Sequence, residues 1–152
     1  MIFCRSEGSR YKTVFSNGSH EACADTTADK GGVSAGFRPH DLLEAALASC
    51  LNMSLRMCAE INDISFSEIR TKVALNRAVP DKVAFEYSFE VDGTLTNEQH
   101  EILQRAAESC PVRRTLSGEI YFHGRISLES QEGNASIEPA KIEDAEDILQ
   151  LQ

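Results

Sequence analysis

The first patterned stretch of the chain runs from Tyr11 to Ser16 and from Ser19 to Asp25, on either side of Asn17-Gly18. Asn-Gly supplies positive φ at both central turn positions, so the pattern predicts a two-residue β-hairpin. Thr26 to Gly36 is rich in Gly, Ala, Asp and Ser and contains Gly31-Gly32, which predicts a loop. Pro39 then opens a helical pattern reaching about Ile61, with proline suited to the first turn. Leu43, Leu47, Cys50, Ser54 and Met57 share one face, and Leu42, Ala45, Ala46 and Met53 widen it. So broad a stripe predicts a largely buried helix.

Beyond it the period changes to two. Ile69, Thr71, Val73 and Leu75 alternate with Arg70, Lys72, Ala74 and Asn76, the signature of a half-buried strand. Pro80-Asp81 marks a turn. Val83, Phe85, Tyr87, Phe89 and Val91 alternate with small or charged residues and form the clearest strand pattern in the chain. Thr96 and Gln99 then stand at capping-box spacing ahead of a second helix, with Ile102, Leu103, Ala106 and Ala107 on its apolar stripe. Cys110 continues that stripe, but Pro111 disfavours helical geometry at the residue before it, so the cysteine is expected at a break. Glu119 to Leu128 reads as a further strand. Antiparallel strands with two separated helices indicate an α+β fold, with a domain over 1–128 and an acidic tail over 129–152. The tail holds seven acids and one Lys, and 141–149 could form a short helix.

Composition adds few surprises and several exclusions. A chain of 152 residues with 41% hydrophobic and 26% charged residues has an ordinary globular balance. Its net charge of -9, without a basic cluster, argues against a nucleic-acid surface. The uncharged stretch Ala45 to Leu55 is short for a bilayer, and MIFCRSEGSR shows no secretory pattern, so no membrane association and a cytoplasmic location are expected. The Arg113-Arg114 pair reads as solvated, or as an aid in positioning an acidic partner. Glu44 does not share the face of Cys50.

Five cysteines, Cys4, Cys23, Cys50, Cys58 and Cys110, carry the remaining chemistry. An odd number without a secretion signal speaks against a disulfide framework. Structural zinc is not expected, because no C-x-x-C pair occurs. Cys50 and Cys110 lie on the apolar stripes of the two helices. If those stripes converge, a thiolate could reduce a peroxide and a second thiol could close a disulfide. Read from the residues alone, core filling competes with that role, since cysteine is a small and commonly buried hydrophobe.

FRPHDLLEAALASCLNMSLRMCAE (Phe37 to Glu60), followed by SCPVRRTLSGEI (Ser109 to Ile120), resembles the OsmC/Ohr family of osmotically induced and organic hydroperoxide resistance proteins. The resemblance spans roughly residues 1–128 in element order and is specific over the two cysteine segments. It implies an intertwined homodimer with a long central helix, Cys50 as peroxidatic and Cys110 as resolving cysteine. It further implies organic hydroperoxide substrates, no metal or prosthetic group, and an external dithiol reductant such as a lipoylated protein. The family's helix-start Glu, which holds a catalytic Arg, corresponds here to His40, with Asp41 beside it. Asp41 is therefore the expected acid, and Arg10, Arg38 and Arg5 are the candidate cations. The contrasting expectation is a protein of the same fold that binds a hydrophobic small molecule at the dimer interface without turning it over.

Overall fold

Among the described residues, two antiparallel sheets and three α-helices form the fold. The computed structural model describes residues 1–8 and 10–126. A first compact unit covers Met1–Ile120. Within it, β1 (Phe3–Ser6), β2 (Thr13–Ser16) and β3 (Glu21–Ala24) form a three-stranded sheet in that order. The helix α1 follows over Pro39–Ile61, then β4 (Glu68–Asn76) and β5 (Ala84–Asp92) pair with each other. The last helices are α2 (Asn97–Glu108) and α3 (Pro111–Leu116). The fold is α+β, as its patterning predicts.

The hairpin exists, but its turn is not the two-residue one expected. Ser16 pairs with Glu21, which leaves four residues, Asn17 to His20, in the connection. The Asn17 side-chain oxygen accepts the amides of Ser19 and His20 at 2.9 and 2.8 Å, and this local side-chain competition widens the turn. Strand β1 was not legible in the pattern.

The loop between β3 and α1 is held by one carboxylate. Buried Asp25 accepts the amides of Thr26, Val33 and Ala35 at 2.8 to 3.1 Å. The amides of Ala35 and Val33 hold its carboxyl below the usual range. A Cβ on Gly32 would meet the Thr26 carbonyl oxygen at 2.1 Å, so only glycine lets the loop close this tightly.

The core lies between α1, β4 and α2. Leu47, Leu51, Leu55 and Ala59, spaced by four, bury one stripe of α1. Leu103, Ala106 and Ala107 of α2 face it together with Ile69 of β4. Two polar contacts fix α1 on β4. Asn52 Nδ2 donates to the Ile69 carbonyl at 2.9 Å and to Thr71 Oγ1 at 3.2 Å, while Glu44 accepts the Leu75 amide at 2.7 Å.

Three expectations require correction. The helix α1 is not buried on most sides: Met53, Met57 and Ile61 remain exposed, because β4, α2 and α3 cover only part of its circumference. By length and composition α1 is also long and apolar enough to cross a membrane, a length the uncharged stretch alone understated. Its buried stripe instead packs against β4 and α2. The strand over 119–128 is absent through Ile126, since none of the ladders includes those residues and alternation without a pairing partner makes no strand. Ser127, Leu128, the acidic tail and its possible helix lie outside the described residues.

Candidate active site

Cys50 sits midway along α1, half-buried, one turn beyond Leu47 on the side bordering the exposed stripe of Met53 and Met57. Cys110 occupies the residue before α3 and is 0% exposed. Its φ of -53° and ψ of 124° are extended, as the following proline requires, so α2 ends and α3 starts around it. Pro111 is tolerated because it opens α3, where its missing amide would have had no intrahelical partner.

This break brings Cys110 to Cys50. Burial pushes the Cys110 thiol up, the amides of Arg113 and Val112 pull it down, and the hydrogen bond and charge of Cys50 push it further up. The net direction is upward. Cys110 is thus a thiol that holds its proton while facing a second, more accessible sulfur. All five cysteines are free. Cys58 packs near Asn62 Nδ2 and the Ile102 carbonyl, at 3.6 and 3.9 Å, and Cys23 lies 3.1 Å from the Ala35 carbonyl. Cys4 is exposed on β1.

The supporting residues are distributed differently from one another. Arg38 and Asp41 pair at the start of α1: the Arg38 amide reaches Asp41 Oδ2 at 2.9 Å and Arg38 Nε reaches Oδ1 at 2.9 Å. The Arg38 hydrogen bond holds the Asp41 carboxyl below its usual range. His40 is exposed beside them. Nine residues of α-helix separate Asp41 from Cys50, roughly 13 Å along the axis, so the pair does not touch the sulfur of its own chain. Arg10 lies in the connection before β2, next to Gly31, with φ 41°. Arg5 pairs with Glu7 and Glu21.

One residue near the site, Arg113, was read in the sequence only as half of a solvated pair or an aid in positioning an acidic partner. Half-buried Arg113 lines a cavity of about 370 Å³ together with Leu47, Val83, Phe85, Tyr87, Leu116 and Ser117. Its Nη1 donates to the Glu108 carbonyl at 2.8 Å. The available signal was its position, three residues after Cys110 in a helix that Pro111 opens. A second cavity, of about 360 Å³, lies between Tyr11, Asp25, Lys30 and Pro39, and neither cavity is lined by Cys50 or Cys110. Among the described residues, no group of three or more His, Cys, Asp or Glu side chains could hold a metal ion.

The OsmC-like protein family model matches residues 29–123, which include both cysteine-bearing segments and the strands between them. The chain belongs to the OsmC-like family. Solved OsmC-like structures share its fold. A putative osmotic stress induced and detoxification response protein from Psychrobacter arcticus is 23% identical with a TM-score of 0.65, over 75% of this chain and 85% of the other. An OsmC-like protein from Mycoplasma pneumoniae is 18% identical with a TM-score of 0.66, over 78% and 86%. The organic hydroperoxide resistance protein OhrB of Bacillus subtilis is 22% identical with a TM-score of 0.57, over 78% and 90%. Comparison with curated proteins gives no match.

Proposed function

We propose that this OsmC-like protein is a two-cysteine peroxidase that reduces organic hydroperoxides. The observation that carries the reading is the pairing of a buried, proton-holding Cys110 with the more accessible Cys50. The Cys50 thiolate attacks the distal oxygen of ROOH. The O–O bond breaks, RO⁻ takes a proton and leaves as ROH, and Cys50 becomes a sulfenic acid. The Cys110 thiol then condenses with it, forming a disulfide and releasing water. An external dithiol, such as a lipoylated protein, reduces the disulfide and is itself oxidised to a disulfide. No metal or prosthetic group enters any step.

A sulfur in mid-helix gains little from the helix dipole, so a cation must favour its thiolate. Asp41 of the Arg38–Asp41 pair is about two and a half turns away along α1. In this reading it therefore serves Cys50 across the interface of a homodimer, where Met53 and Met57 beside the sulfur would also find cover. The proposed setting is the reducing cytoplasm, where a dithiol donor is available.

The test is catalytic consumption of cumene hydroperoxide by the reduced protein with dihydrolipoamide as donor. Multiple turnovers that disappear in Cys50→Ser are expected. No consumption with any dithiol, together with an extractable co-purified apolar ligand, would instead make the protein a binder of a hydrophobic small molecule.

A further inference from the structure

The turn between β2 and β3 holds chemistry that the two sulfurs do not use. Asn17 is the one asparagine of the chain that glycine follows. An asparagine side chain is open to attack at Cγ by the main-chain nitrogen of the next residue, and glycine, having no Cβ, hinders that nitrogen least. Asn17 and Gly18 are both exposed, so water reaches them. Gly18 stands at φ 95°, and a Cβ there would meet nothing within 4 Å. Hydrogen bonds nonetheless hold the reacting groups. The Gly18 amide donates to Ser16 Oγ at 2.9 Å, and Asn17 Oδ1 accepts the Ser19 and His20 amides at 2.9 and 2.8 Å. The backbone closes the turn only weakly, with the Asn17 amide a long 3.3 Å from the His20 carbonyl.

We propose that Asn17-Gly18 is a conditional deamidation site, guarded by Ser16 while the hairpin is closed and converted to aspartate or isoaspartate when it opens. The Gly18 nitrogen gives up its proton and bonds to Asn17 Cγ. The Cγ–Nδ2 bond breaks, and Nδ2 takes that proton and leaves as ammonia. Water then opens the succinimide ring. Attack at the side-chain carbonyl gives aspartate, and attack at the main-chain carbonyl gives isoaspartate, with the chain rerouted through the side chain. Ring closure moves Cγ onto the Gly18 nitrogen, drawing Oδ1 off its two amides, and removes the hydrogen that Ser16 Oγ accepts. The closed turn therefore opposes the reaction, and local opening permits it. Isoaspartate lengthens the connection between the paired Ser16 and Glu21, so the turn cannot re-form as it was. A transient opening is thereby fixed as a covalent change.

The test ages the full, reduced chain at mildly alkaline pH, folded in buffer and unfolded in guanidinium chloride. Peptide mapping by mass spectrometry follows deamidation at each asparagine, and electron-transfer fragmentation distinguishes isoaspartate from aspartate. Unfolded protein should deamidate at Asn17 at least about tenfold faster than folded protein, as the loss of three hydrogen bonds implies. Folded Ser16→Ala should react at least about twofold faster than folded wild type, as the loss of one such bond implies. Ser16→Thr, which keeps the hydroxyl, should retain the slow rate. In guanidinium chloride all three chains should react alike, and Gly18→Ala should be much slower there. The wild-type comparison decides the claim if Ser16→Ala does not fold. A folded rate equal to or above the unfolded one, a folded Ser16→Ala no faster than wild type, or deamidation that falls on another asparagine first would overturn the proposal.

Discussion

Arg38 and Asp41 clasp each other across the first turn of α1, with Nε of the arginine 2.9 Å from the carboxylate and its amide equally close. The acid thereby satisfies an orphan backbone donor and fixes an arginine with one residue. Asp41→Asn should lower the thermal midpoint at pH 7, whereas His40→Gln should leave it unchanged. Because the folded-state carboxyl of Asp41 is held below its ordinary range, the contribution is present above the ordinary Asp value and is lost as pH falls through the lowered one. The two midpoints should therefore converge in acid. Asp41→Asn should also depress turnover strongly, and His40→Gln only slightly; equal effects would remove Asp41 from the proposed support of Cys50.

Cys110 should be the last of the described cysteines to react with iodoacetamide, and Cys4, exposed on β1, should react before it. Mass-spectrometric mapping of partially alkylated protein checks this order. The raised folded-state value of Cys110 also has a stability consequence. Its protonated thiol contributes fully below the ordinary thiol value, about 8.5, and the contribution is lost as pH rises through the folded value. Urea midpoints should fall between neutral and alkaline pH, and the slope should flatten in Cys110→Ala.

The sequence made the long elements legible and the short or partner-dependent ones obscure. The helix from Pro39 to Ile61 and the capping box at Thr96 agree with the structure, since local chemistry sets both. The strands β4 and β5 followed from strict alternation. Strand β1 has only four exposed residues and no alternation to read, and α3 has six. Asn17 widened a turn that its pairing with Gly18 alone would have kept at two residues. At the site, the two cysteines stood out because each lies on the apolar stripe of a helix, within a segment that resembles the OsmC/Ohr family. Arg113 did not, since a basic pair in a short segment reads as solvated until the fold sets one member against a cavity.

The core argument carries its own stability test. Leu103 is 0% exposed between α1 and its own helix, so Leu103→Ala should cost about 2–5 kcal/mol in urea unfolding. Asn52→Ala removes the contacts to Ile69 and Thr71 and should cost about 1 kcal/mol. A Leu103→Ala cost below that of Asn52→Ala would mean that α2 does not pack against α1 as described.

Met57 is 65% exposed and Phe122 92% exposed, a poor arrangement for an isolated chain. A second copy would cover the apolar face of α1. Light scattering at micromolar concentration should give a dimer mass, and Met57→Glu should weaken the dimer at least about tenfold, the effect of burying one uncompensated charge. A monomer mass for the wild-type protein would contradict the shared-interface arrangement.

The central claim is that Cys50 and Cys110 act as one redox pair. Reduced protein treated with one equivalent of cumene hydroperoxide, quenched by alkylation and mapped by mass spectrometry, tests it most directly. The predicted result is a single intramolecular Cys50–Cys110 disulfide, replaced in Cys110→Ser by a Cys50 sulfenic acid that over-oxidises with excess peroxide. Cys58 stands eight residues from Cys50 on the same helix, roughly 12 Å along the axis, and is out of disulfide reach. A disulfide that omits Cys110, or two thiols left unchanged by the peroxide, would contradict the account.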